Sequence, residues 1–285
     1  MVSPVRKKQA VEYVINQRLC SVRRACRYWA VHRSTYRYQA QELKPKQLQL
    51  HQRIIGLSWE HPRYGYRRIR ALLMGEGWSV SRKQVQRVRC KEGLKVPSKP
   101  KRESRRGNST GLPTKATHPN HVWTWDFIFD RTDKGSTLKM LTMLDEYTRQ
   151  CLVIRVERQI QSKQVFETLL QAMATYGVPE HIRSDNGSEF IAHTIQQGLK
   201  DHQIKTLYID PGSPWQNGYI ESFHSRFRDE CLNREWLLNL REARIVIEDW
   251  RQHYNKERPH SQLGYISPEK FKLNQKVSPQ VGQNG

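Results

Sequence analysis

Ser184-Asp185-Asn186-Gly187-Ser188-Glu189-Phe190 and, twenty residues on, Pro211-Gly212-Ser213-Pro214-Trp215-Gln216-Asn217-Gly218-Tyr219-Ile220-Glu221-Ser222 decide how this chain is read. Asp185 closes a short apolar run, and Asp-Asn-Gly by itself signals only a turn. Glu221 changes that reading. It follows Asp185 after 35 intervening residues, near the start of a helix opened by Pro214. Ile220, Phe223, Phe227 and Cys231 recur at three- and four-residue steps as a buried stripe. Glu221, Ser225 and Arg228 share another face, so a carboxylate and a guanidinium project together away from the core.

A third acid lies upstream. Val122-Trp123-Thr124-Trp125-Asp126-Phe127-Ile128-Phe129 reads as a buried strand of aromatic and β-branched residues with one charge in its middle. An unpaired carboxylate there is costly, so Asp126 requires a cation or a metal. Asp126, Asp185 and Glu221 offer only oxygen ligands, which suits hard divalent ions: Mg²⁺ first, Mn²⁺ as the alternative. No His or Cys accompanies them at zinc-like spacing, which disfavours zinc at these acids. His181 and His193 read as histidines satisfied within the fold.

With these residues the chain resembles the catalytic (OrfB) protein of IS-three family bacterial insertion sequences, whose DDE core is similar to retroviral integrases. The matching pieces are Trp123-Thr124-Trp125-Asp126-Phe127, Leu144-Asp145-Glu146-Tyr147-Thr148-Arg149, the segments around Asp185 and Glu221, and Asn255-Lys256-Glu257-Arg258-Pro259-His260. The resemblance implies an α/β, ribonuclease-H-like catalytic core preceded by all-α helix-turn-helix modules. It implies a DNA transposase with a catalytic, metal-binding triad of Asp126, Asp185 and Glu221, working by two-metal phosphoryl transfer. It further implies action as a homo-oligomer on the element's terminal repeats and target DNA, with an upstream-frame (OrfA) protein as a partner. Arg228, seven places after Glu221, would grip a DNA phosphate, with a salt bridge to a neighbouring acid as the alternative. Gln216 and Asn217 would either contact DNA or shape the turn. Asp145-Glu146 most simply occupy a solvated turn, and Arg258-Pro259-His260 packs against the core.

The charge balance points to the same partner. The formal net charge is +22; residues 1–116 hold 28 Lys/Arg against 6 Asp/Glu, and residues 117–285 hold 21 of each. So basic a first part favours a polyanion, because each neutralised phosphate releases counterions. No long apolar stretch or one-sided greasy basic helix suggests a membrane. Five scattered cysteines without a Cys-x-x-Cys pair and the lack of a hydrophobic signal core fit a bacterial cytoplasmic protein. Two other functions fit the composition: a DNA-binding regulator with an inactive integrase-like domain, or a ribonuclease-H-like nuclease without joining activity.

In chain order, residues 1–43 read as a helix-turn-helix-like segment. Ser21 caps its second helix, and Arg33 and Arg37 are candidate DNA contacts. Residues 46–94 form a second helical module, with Ser81 capping a helix that turns Val85 and Val88 inward and presents Arg82, Gln86 and Arg89 to DNA. Residues 95–118 read as a basic, mobile linker, and residues 119–235 as the catalytic core of three antiparallel strands followed by αβ units, with Ser162 capping its first helix. Residues 236–273 form a helical extension and residues 274–285 a disordered tail.

Overall fold

The computed structural model describes residues 3–39, 44–97, 114–185, 187–209 and 214–277. The linker and tail expected from sequence fall largely outside these ranges. β1 (Val122–Arg131), β2 (Thr137–Asp145) and β3 (Cys151–Glu157) follow one another as an antiparallel meander. The Asp133-Lys134-Gly135-Ser136 turn between β1 and β2 uses Gly135 at φ +77°, a conformation that costs a residue without Cβ little. β4 (His181–Ser184) and β5 (Lys205–Tyr208) then add in parallel on the other side of β1, giving the order β3-β2-β1-β4-β5. This is the ribonuclease-H-like arrangement.

Alternation along the strands divides the core into two layers. Trp123, Trp125, Leu141 and Met143 pack with Val165 and Leu169 of α7 (Ser162–Tyr176) and with Ile195 and Leu199 of α9 (His193–Asp201), while the short α8 (Ser188–Ile191) adds Phe190. On the opposite face, Ile128, Leu138, Met140 and Leu144 pack with Ile220, Phe223 and Phe227 of α10 (Gly218–Phe227) and with Ile247, Trp250 and Tyr254 of α11 (Leu240–Lys256). Asp126 shares the parity of Ile128, so it belongs to the α10 side. The first cap of this core differs from expectation: Gln164 Oε1 accepts the Gln161 amide at 2.7 Å, so Gln161 caps α7 and Ser162 is its first residue.

The chain divides into two units, residues 1–53 and 54–285. In the first, α1 (Pro4–Asn16), α2 (Val22–Tyr28) and α3 (Arg33–Arg37) bury Val11, Ala25 and Cys26 together, and Ser21 caps α2. α4 runs over Pro45–Glu60, with Pro45 as its first residue. In the second unit, α5 (Tyr66–Gly75) and α6 (Arg82–Lys91) form the next helical pair, and Ser81 Oγ accepts the Gln84 amide as the cap of α6. This pair is fastened to the core side chain by side chain: Arg63 pairs with Asp229, Arg68 with Glu230, and the Tyr64 hydroxyl lies 2.9 Å from His253 Nε2. α12 (Pro268–Val277) follows α11. Among the described residues no helix is long and apolar enough to cross a membrane.

Candidate active site

Strand register brings the first two acids level. β1 and β4 run parallel with Thr124 opposite Arg183. Two residues further along each chain come Asp126, in the middle of β1, and Asp185, just past the end of β4. The third acid arrives by a tether. A 3₁₀ turn at Pro214–Asn217 buries Gln216 and Asn217, and Thr124 Oγ1 lies 3.1 Å from Asn217 Oδ1. That bond pins the start of α10 to β1 two residues before Asp126. Glu221, one turn into the helix, is exposed, while Ile220, Phe223, Phe227 and Cys231 are all buried.

The electrostatics of Asp126 record this convergence. Its carboxyl is pushed up to about 7, chiefly by burial, with the Asp185 and Glu221 charges raising it further and a hydrogen bond from the Phe127 amide opposing them. Among the described residues the basic group within ion-pair reach is His224, whose Nδ1 is 3.9 Å from Asp126 Oδ2. Burial, then the Arg228 charge, lowers His224 to about 4, so the ring is neutral at pH 7. Thr142 Oγ1 donates to the Asp126 carbonyl at 3.0 Å and meets His224 Nε2 at 2.8 Å. The hydroxyl therefore accepts from Nε2–H, and Nδ1 faces Asp126 as a lone pair. A half-buried carboxylate is left without a cation, beside two more acids.

The three acids do not form a single tight cage. They are not among the described groups whose ligand atoms all lie within 4.8 Å of one another.

Several expected contacts resolve differently. Gln216 and Asn217 are buried in the turn, where Asn217 Oδ1 accepts from the Thr124 hydroxyl. Arg89 is 4% exposed and donates to the Tyr64 and Leu94 carbonyls at 2.6 and 2.7 Å; it follows Val85 by four residues and so turns inward with it, leaving Arg82 and Gln86 exposed. Asp145 and Glu146 are not in a solvated turn. Asp145 accepts the Asn120, Tyr147 and Thr148 amides, and Glu146 pairs with buried Arg183 at 2.8 Å. Arg228 is exposed and donates to the Phe129 carbonyl at 3.1 Å, which leaves the rest of its guanidinium facing outward. Arg33 and Arg37 are exposed on α3. Glu189 pairs with Lys139. Arg258 is buried in a bidentate pair with Glu230, both bonds 2.6 Å. His224 had a readable signal, one turn after Glu221 on the helix, that spacing of acids alone does not pick out.

Comparison with known proteins agrees with this geometry. Residues 116–214 and 202–268 match two integrase core domain models, and residues 45–102 match an HTH-like domain model. The chain is 38% identical over 273 residues to the uncharacterized 39.2 kDa protein of insertion element IS476 from Xanthomonas euvesicatoria, covering 96% of this chain and 78% of that one. It is 38% identical over 251 residues to the uncharacterized 31.7 kDa protein of insertion element IS407 from Burkholderia multivorans, covering 88% and 90%. A chain of the simian T-cell lymphotropic virus intasome, solved by cryo-electron microscopy with PP2A regulatory subunit B56 gamma, superimposes with a TM-score of 0.51 at 13% identity, over 81% of this chain and 75% of that one. At that identity the likeness is one of fold.

Proposed function

The chain belongs to the IS-three family of insertion-sequence transposases, and from that premise we propose that Asp126, Asp185 and Glu221 are the catalytic acids with which it cuts and joins DNA. The observation that carries this assignment is the half-buried Asp126 carboxyl, pushed up chiefly by burial and further by the charges of Asp185 and Glu221, with neutral His224 as the basic group in ion-pair reach among the described residues. Hard divalent ions, Mg²⁺ ahead of Mn²⁺, would be held by the three carboxylates and would stabilise the attacking and leaving oxygens of a phosphoryl transfer.

The protein's own groups set the geometry. The β1–β4 register holds Asp126 and Asp185 level, and the Thr124–Asn217 bond fixes the entry angle of Glu221. His224, held neutral, stands 3.9 Å from Asp126 Oδ2 without cancelling its charge. In the first transfer water attacks a phosphodiester at the element's end, forming one P–O bond and breaking another to free a 3′-OH. That hydroxyl attacks a second phosphodiester with the same balance, so no covalent protein–DNA intermediate is needed. By family resemblance the first joining links the two ends of one element into a circle.

DNA is bound through exposed basic residues, Arg228 beside the acids, Arg82 on α6, and Arg33 and Arg37 on α3, together with the Gln86 amide on α6. The protein works in a bacterial cytoplasm as an oligomer on the terminal repeats, with the upstream-frame protein as an assembly partner.

The test is to incubate the purified chain with its element's end sequences and Mg²⁺ and resolve the strands. Nicked and joined products that vanish in Asp126→Asn, Asp185→Asn and Glu221→Gln are the expected result. Joining that survives Glu221→Gln sinks the assignment. Cleavage without joining would move the protein to the nucleases, and binding alone to the regulators.

A further inference from the structure

A second cluster of metal-ligating side chains lies at the other end of the same two strands. The rings of His118 and His121 are nearly parallel, with centroids 4.7 Å apart and planes at 7°. Each directs Nε2 at one carboxylate: His118 lies 2.7 Å from Glu180 Oε1 and His121 4.0 Å from Oε2. His181 closes the group, since one ligand atom each from His121, Glu180 and His181 lies within 4.8 Å of the others. Val122 pairs with His181, whereas Asp126 and Asp185 come four residues later on their segments. At about 3.3 Å per residue the cluster is roughly 13 Å along the strands from those acids.

The backs of the rings are already oriented. Thr117 Oγ1 sits 3.0 Å from His118 Nδ1 and 3.2 Å from His121 Nδ1, and His181 Nδ1 is 3.4 Å from the His121 carbonyl. Partners of this kind fix ligating imidazoles by taking the proton of the nitrogen that does not bind. The Thr117 amide also lies 3.2 Å from His121 Nδ1 and holds the ion-free ring in the other tautomer, so ion entry would shift that proton. The backbone is set as well: the Glu180 amide donates to the Asn120 carbonyl and the His181 amide to the His121 carbonyl, both at 3.0 Å. His118 and Glu180 are exposed enough for an ion to enter.

We propose that His121, Glu180 and His181, with His118 as fourth ligand, form a site for a borderline transition-metal ion of the Zn²⁺ class, stapling the segment that enters β1 to the start of β4. Imidazole nitrogens with one carboxylate suit such an ion and not Mg²⁺. The site is separate from the catalytic acids in position and in donor chemistry.

The full-length chain, stripped with chelator and titrated with Co²⁺, tests this by visible absorption, with Zn²⁺ as competitor. The expected result is uptake of a single ion in a low-coordinate environment, displaced by Zn²⁺ and untouched by excess Mg²⁺. That uptake is lost in His121→Ala/His181→Ala, retained in Asp126→Asn/Asp185→Asn, and weakened on the order of tenfold in Thr117→Val. Should the double histidine variant misfold, Glu180→Gln, an isosteric change at an exposed side chain, must still weaken uptake with an unchanged circular dichroism spectrum. No absorption band in the wild type, uptake indifferent to the histidines and Glu180, or uptake lost only with the catalytic acids would each overturn the site.

Discussion

Asp126→Asn should make the metal-free protein more stable, because it removes a charge that the fold holds at a cost. The Asp126 carboxyl rises from its ordinary 3.8 to about 7, mainly through burial and then through Asp185 and Glu221. At about 1.4 kcal/mol per pH unit, that rise puts the cost of the ionised group on the order of 4 kcal/mol above pH 7. The folded value lies above the unfolded one, so the sign is opposite to that of an ion-paired Asp: stability is full below pH 3.8 and is lost as the pH rises to about 7. Asparagine keeps an oxygen for the Phe127 amide, bound at 2.7 Å. Urea unfolding in chelator should therefore show the variant ahead by up to about 4 kcal/mol at pH 8 and by roughly 2 kcal/mol at pH 5. Saturating Mg²⁺ should narrow the gap at pH 8 by stabilising the wild type more. A variant less stable than wild type at pH 8, or a difference independent of pH, would refute the reasoning.

Other substitutions probe the scaffold and the DNA contacts. Arg258→Ala should destabilise the second unit by about 3 kcal/mol in urea unfolding, because it leaves buried Glu230 only its longer contact with Arg68, and lysine should not restore the bidentate pair. Asn217→Ala should lower joining on the order of a hundredfold while leaving end binding unchanged in gel shifts, since it frees the start of α10 from Thr124. Arg228→Ala should weaken DNA binding and reduce the slope of log affinity against log salt by about 1, whatever the DNA sequence.

Much of the core was legible because its signals are local and periodic. The Ile220, Phe223, Phe227 and Cys231 stripe needs only the helix repeat, and all four are buried. The three antiparallel strands expected at the start of the core are β1, β2 and β3. What stayed hidden depends on partners remote in sequence. Asp145 and Glu146 sit at a turn, and only Asn120 and Arg183, brought in by β1 and β4, make them buried. Arg89 lies on the boundary of two helix faces, and the Tyr64 and Leu94 carbonyls draw it inward. Gln216 and Asn217 left two readings open, and neither their burial nor the bond from Thr124 to Asn217 could be read from the local sequence. His118 and His121 form a short-range pair whose chemistry becomes visible only when the parallel pairing of β1 and β4 delivers Glu180 and His181.

The most direct trial of the account is anomalous diffraction from crystals of the chain bound to its element's end DNA and soaked with Mn²⁺. Two manganese peaks should appear between Asp126, Asp185 and Glu221, next to the phosphate to be cut. Peaks elsewhere, or these carboxylates turned away from the phosphate in the DNA complex, would contradict it.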